Sequence, residues 1–336
     1  MSSIAQNDFI APEGHDACWE AWREHVHPFF DLAQKPEIDL TTAPAMRTFF
    51  LGNMMIGDVD APAQILERTA RKTAVQGIDH ILLQFHTHGT SRVERGGHSR
   101  TVGPSEVVVY DLSQPIMVDT AGPVGAVNAV FPRALLGERA GSLDLLHGAT
   151  FSRHDDPVAQ LMFDYLKGVI ARGGSLPPQQ ARPVAEAAAK LCTACLPARG
   201  AGERTGDLAT SIEIRSFIQK NIGDADLDVD GLVSRFGVSR ASLYRLFSDE
   251  GGVQSYIRER RLLKAMRLLA QPSGGARPRV SSVAYACGFT DAKTFTRAFT
   301  ARFGFLPREA RAGDADPALL QRRDDVLLDW INTLDA

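Results

Sequence analysis

The chain has 336 residues, enough for two domains that each bury a core of their own. Charged residues make up 23% and the net charge is −3, ordinary values that exclude a disordered or collagen-like chain. No apolar run approaches the roughly 20 residues that a membrane-spanning helix needs.

The N-terminus, "MSSIAQNDFIAPEGHDACWEAW", has neither a basic start nor an apolar stretch, so no secretory leader is expected and the cytoplasm is the default location. Residues 1–40 are read as a helical segment, with "DACWEAWREHVHPFFDLA" as an amphipathic helix. From about 41 the pattern changes to short runs: "MRTFFLGNMMIG", "HILLQFHTHG", "SEVVVYDL", "PIMVDTAG" and "VGAVNAVF". They are rich in β-branched and aromatic residues and are separated by Gly, Pro and Asp, which predicts an antiparallel sheet folded into a sandwich or barrel. Two helices follow. "DDPVAQLMFDYLKGVIARGG" has Asp155 and Asp156 as caps and Pro157 at the first helical position, and "PPQQARPVAEAAAKLCTACL" completes an antiparallel hairpin. Residues 41–196 are therefore one β-rich domain with a helical hairpin.

Cys192 and Cys195 form a C-x-x-C, but on a helix and without a second pair of ligands, so both are expected to pack as small apolar residues. The Gly/Arg-rich stretch 197–207 is the linker. Residues 208–311 read as a helical domain, and 312–336 as an acidic tail.

Charge is segregated. Gly231 to Arg311 holds 15 Lys and Arg against 5 Asp and Glu, a surplus of +10 that leaves −13 for the remainder. A basic block in an acidic chain points to a polyanionic partner for that block alone. Within it, "GLVSRFGVSRASLYRLF" reads as a short helix ending at Gly237, then a helix capped by Ser239 whose Leu243 and Phe247 face inward. This is a helix-turn-helix layout, the second helix being the one that enters the major groove. The layout recurs. In "VSSVAYACGFTDAKTFTRAFTARF", Asp291 takes the place of Ser239, Phe295 of Leu243, Phe299 of Phe247 and Arg297 of Arg245. The phenylalanines are core anchors, and Lys293, Thr296, Arg297 and Thr300 share an outward face. On the first copy the corresponding residues are Ser239, Arg240, Ala241, Ser242, Tyr244 and Arg245. "SYIRERRLLKAMRLLA" would be one long helix joining the two units.

The block resembles the AraC/XylS family of transcriptional regulators. From Gly288 the residues follow that family's GF-x5-F-x-R-x-F-x3-F-G-x-x-P-x-x-x-R pattern to Arg311. The departures are a longer loop in "QPSGGARPRVSSVA" and a small Ala241. The first half more loosely resembles the effector-binding domain of the XylS-like branch, in "ILLQFHTHG", "GPSEVVVYD" and "FPRALL". The resemblance implies an α+β chain: a cupin-like barrel with a helical hairpin, then an all-α domain of two helix-turn-helix units on a long helix. It also implies operator DNA, a small-molecule effector and a second copy of the chain as partners, with RNA polymerase a possible fourth. Aromatic or other small organic acids are the effector class that the branch suggests.

His86, Thr87 and His88, with Glu94, invite a metal-dependent cupin-type enzyme as the competing reading. The spacing to Glu94 is too long for that pattern, and His98 joins only through a special loop conformation. No nucleophile elbow, phosphate-binding loop or zinc-protease motif is present. The expectation is a non-enzymatic regulator without cofactor or metal, in which His86 and His88 are weak candidates for effector contact.

Overall fold

The computed structural model describes residues 3–33, 43–69, 72, 73, 76, 78–95, 98–137, 146–196, 205–248, 251–270, 278–310 and 326–334. Most of the linker, the loop at 271–277, Arg311 and the acidic stretch as far as 325 lie outside them. The chain divides into two compact units. One comprises Met1–Thr69, Asp79–Arg199 and Asp324–Ala336, and the other Ala70–Ile78 and Gly200–Arg323.

The first unit is built on two antiparallel sheets. One has the order β1 (Ala5–Phe9), β3 (Ala45–Phe50), β4 (Met55–Ala61), β11 (Val124–Phe131), β6 (Ile81–His88), β9 (Glu106–Asp111) and β12 (Thr150–Ser152). The other runs β2 (Asp31–Ala33), β5 (Gln64–Arg68), β10 (Ile116–Thr120), β7 (Ser91–Arg95) and β8 (His98–Val102). Strand side chains alternate between faces, and here both faces of the larger sheet are covered. Ile81, Leu83 and Phe85 of β6, with Val127, Ala129 and Phe131 of β11, join one core with helices α2 (Pro157–Arg172) and α3 (Pro178–Cys195). The residues between them, Leu82, Gln84, Ala126, Asn128 and Val130, face the smaller sheet and line a cleft.

Local chemistry accounts for the hairpin. The Asp156 carboxylate accepts from Val158 N at 2.8 Å and Ala159 N at 3.2 Å, with Pro157 at the first helical position. Met162 and Leu166 of α2 and Ala185, Ala188 and Cys192 of α3 are fully or almost fully buried against the sheet. All four cysteines are free and buried. Cys195 donates its thiol to the Leu191 carbonyl at 2.9 Å, and burial pushes this thiol up to about 11 and the Cys192 thiol well above its usual range.

Two parts of the first unit differ from the sequence expectation. Residues 1–40 are not helical throughout: β1 precedes helix α1 (His15–Val26), and Asp31–Ala33 forms β2. Pro28 explains the early stop: His27 before it still has helical backbone, φ −53° and ψ −34°, but proline has no N–H with which to continue the helical hydrogen bonds. The last residues of the chain are also more than a tail. Val326–Thr333 forms a helix that stacks Trp330 on Phe50 at 5.4 Å, and the His80 Nε2 lies 2.7 Å from the Ile331 carbonyl. Ile331 is fully buried.

The second unit is helical among its described residues: α4 (Thr205–Lys220), α5 (Val229–Phe236), α6 (Arg240–Leu246), α7 (Val253–Ala270), α8 (Val280–Ala286) and α9 (Ala292–Phe303). The helix Val326–Thr333 of the first unit is α10. One long helix serves two cores. Val253, Tyr256 and Ile257 of α7 pack with Ile214, Leu232, Leu243 and Phe247, while Leu262, Met266 and Leu269 pack with Val283, Phe295, Phe299 and Phe303.

Candidate nucleic-acid interface and ligand cleft

The first helix-turn-helix is α5 and α6. Asp228 caps α5 by accepting from Gly231 N at 2.8 Å. Gly237 ends the helix in the left-handed conformation, φ 63°, which only glycine adopts at little cost. Ser239 then caps α6, accepting from Ser242 N at 3.0 Å. The second pair is α8 and α9, with Gly288 at φ 79° in the turn. Asp291 accepts from both the backbone N (2.7 Å) and the hydroxyl (2.8 Å) of Thr294. These bonds hold the Asp291 carboxyl below the usual carboxylate range.

The anchors lie where the shared spacing placed them. Leu243, Phe247, Phe295 and Phe299 are fully buried. Phe299 meets Phe303 edge-on at 4.5 Å and Phe295 at 5.5 Å, a run of tilted and edge-to-face pairs. With these turned inward, the opposite faces of α6 and α9 are left exposed.

On α9, Lys293 and Arg297 are exposed, and Thr296 and Thr300 are half-buried between them. Arg297 has no partner among the described residues. Thr296 donates its hydroxyl to the Ala292 carbonyl at 2.8 Å, and the Thr300 hydroxyl oxygen has no bond. On α6, Arg240, Ala241, Tyr244 and Arg245 are exposed, with Tyr244 at 42%. Arg240 pairs with Asp230 of α5, and the Ser239 hydroxyl donates to that of Ser242 at 3.0 Å. The two faces therefore differ: α9 presents an unpaired arginine, and α6 presents an arginine already matched by a carboxylate. Tyr285 of α8 is 56% exposed and was not singled out from the sequence. Its position in "SSVAYAC" gives no signal, since tyrosine there reads equally well as core.

The cleft in the first unit lies between the sheets, with an empty volume of about 810 Å³ including its mouth. Trp22 closes one side, its indole N–H donating to Gln64 Oε1 at 2.8 Å. His86 and His88 are not among its lining residues. His86 is fully buried and both its ring nitrogens lack a partner; burial lowers it to about 4, against an opposing pull from Glu106. His88 is exposed, its Nε2 3.5 Å from the Asp60 carboxylate. Among the described residues no group of three or more His, Cys, Asp or Glu could hold a metal ion. The residues that do line the cleft, such as Thr48, Gln84 and Asn128, were missed because Gln84 and Asn128 each sit between apolar neighbours and Thr48, beside Arg47, carries no local signal.

Two helix-turn-helix units on a shared helix, joined to a β-rich unit with an internal cleft, define a DNA-binding regulator of transcription with a ligand-binding-like domain. The comparisons make the assignment specific. Residues 19–197 match the AraC-binding-like domain and residues 232–313 a helix-turn-helix domain, so the chain belongs to the AraC family of transcriptional regulators. It is 24% identical over 266 residues to the transcriptional activator NphR of Rhodococcus sp, covering 76% of this chain and 77% of that one. It is 32% identical over 100 residues to the activator RhaS of Escherichia coli O139:H28, covering 29% of this chain and 34% of that one. In fold it resembles the AraC-like transcriptional activator CuxR, with a TM-score of 0.53 and 23% identity over 78% of this chain and 95% of that one. The chain is a regulator rather than an enzyme. No helix among the described residues is long and apolar enough to cross a membrane.

Proposed function

We propose that the chain is a cytoplasmic, sequence-specific transcriptional activator that binds duplex operator DNA as a homodimer and is controlled by a small molecule held in the cleft of its first unit. The observation that carries this reading is the repeated outward face of α6 and α9, each set opposite buried anchors at matching positions. A helix so placed reads base edges in the major groove, and two on one side of the duplex reach successive turns about 34 Å apart. Arg245 and Arg297 are the base-reading residues. Ser239, Ser242, Lys293, Thr296 and Thr300 contact the backbone or base edges beside them, and Arg240 joins them when it leaves Asp230.

Activation is supported by the named activity of NphR and RhaS, and it would work through contact with RNA polymerase. Dimerisation through α2 and α3 is supported by Leu161, which α2 leaves 60% exposed. Selection of duplexes from a randomised pool by the full chain tests the reading. It should enrich one motif long enough for two recognition helices per copy, and sedimentation of the unliganded chain should give a dimer at micromolar concentration. No enrichment above the input pool, or a monomer throughout, would refute the corresponding part.

A further inference from the structure

The described wall of the cleft is uncharged. Among the described residues no Asp, Glu, Lys, Arg or His lines it, and the lining is mostly aliphatic and aromatic. On the larger sheet one transverse row breaks the apolar surface, facing Gln64, Ser91 and Thr120 among the lining residues of the smaller sheet. In register, Thr48 of β3 pairs with Gly57 of β4, Gly57 with Asn128 of β11, and Asn128 with Gln84 of β6. All four positions line the cleft. Gly57 contributes no side chain, and a Cβ there would come within 2.1 Å of the Arg47 carbonyl oxygen. The close approach of β3 therefore requires glycine and leaves a gap in the row between Thr48 and Asn128.

The hydrogen bonds of the row are only partly used. The Gln84 amide is engaged at both ends: its Oε1 accepts from the Tyr110 hydroxyl at 3.3 Å, and its Nε2 donates to Asn128 Oδ1 at 3.1 Å. That bond turns the Asn128 carbonyl toward Gln84, and the Asn128 N–H groups have no acceptor among the described residues. Thr48 is 3% exposed, and its hydroxyl oxygen is buried without a partner among the described residues. A buried polar atom left unsatisfied is uncommon and costly, and a ligand group is one way to satisfy it. On either side of the gap there is thus a donor at Asn128 and a donor-acceptor hydroxyl at Thr48.

We propose that Thr48 and Asn128 form the polar anchor for an uncharged, mainly apolar small molecule with one hydroxyl, carbonyl or amide group seated over Gly57. A carboxylate would lose its hydration on entering this cleft and would find no cation among the described lining residues to offset the loss. A neutral oxygen accepts from Asn128 and Thr48 with little such loss. The inference rests on the cleft being the effector site and departs from the organic acids that the family branch suggests.

Two matched fluorescent probes test it with the full chain at pH 7.5: the ketone 6-propionyl-2-(dimethylamino)naphthalene and the carboxylate 6-(dimethylamino)-2-naphthoate. The ketone should bind saturably and at least tenfold more tightly than the carboxylate. Ala126→Phe, or the milder Ala126→Met if the first does not fold, should abolish this binding by filling the cleft. Thr48→Val with Asn128→Leu, close in volume, should weaken the ketone at least fivefold and shift its emission to the blue. A ketone preference unchanged by that double variant would overturn the anchor. Equal or tighter carboxylate binding that Ala126→Phe removes would overturn the ligand class while leaving the cleft as the effector site. Absence of saturable binding, or binding that the Ala126 variants do not affect, would overturn both. Operator affinity measured on the same preparations keeps the DNA-binding reading separate from each outcome.

Discussion

His86 is a neutral imidazole enclosed in the larger sheet, with both nitrogens unpartnered among the described residues. Burial lowers it from 6.5 to about 4. The folded value lies below the unfolded one, so the neutral ring's contribution is complete above about 6.5 and is lost as pH falls toward 4. The loss between pH 7.5 and 5 is about 2 kcal/mol. His25, lowered to about 4 by the same cause, adds its own acid sensitivity. Urea unfolding of the wild type and His86→Leu at both pH values isolates the His86 part. The variant should lose about 2 kcal/mol less on acidification, and an identical loss in the two proteins would show that His86 is not buried as described.

At the scale of elements, α10 carries the clearest consequence. It follows the helix-turn-helix units in the chain, yet it packs in the first unit through Leu327, Ile331 and Leu334, all buried, and through Trp330 on Phe50. Ile331→Ala should cost about 2–5 kcal/mol. Thermal unfolding of the full chain should show the loss in the transition of the first unit. A variant with unchanged melting would mean that α10 does not dock there. This helix was not legible because "VLLDWINT" is too short to show a period and stands in an acidic setting. β1 and β2 were missed for a related reason: "AQNDF" and "DLA" are strands only because β3 and β5 offer edges to pair with. The five apolar runs did announce their strands, since β-branched residues flanked by turns need no tertiary context. The two helix-turn-helix units were legible almost residue by residue. Caps, glycine stops and i, i+4 anchors are local chemistry, and the second copy repeats the first. The cleft between the sheets was not, because the row Thr48, Gly57, Asn128 and Gln84 comes from four strands and exists only once their register is set.

For the whole molecule, the basic block is the part that meets DNA, so affinity should fall steeply with salt as phosphate contacts release counterions. Specificity has a different origin. An arginine held over guanine makes two parallel hydrogen bonds worth about 1–3 kcal/mol of discrimination. Arg245 and Arg297, one on each outward helix face, are the arginines proposed for this task; Arg297 is exposed and unpaired among the described residues. The measurement that tests this most directly is binding of the full chain, Arg245→Ala and Arg297→Ala to the selected duplex and to a scrambled one across a salt series. Base reading predicts a loss of about 1–3 kcal/mol on the selected duplex, little loss on the scrambled one and an unchanged salt slope. Equal losses on both duplexes with a shallower slope would contradict it and assign these arginines to phosphates.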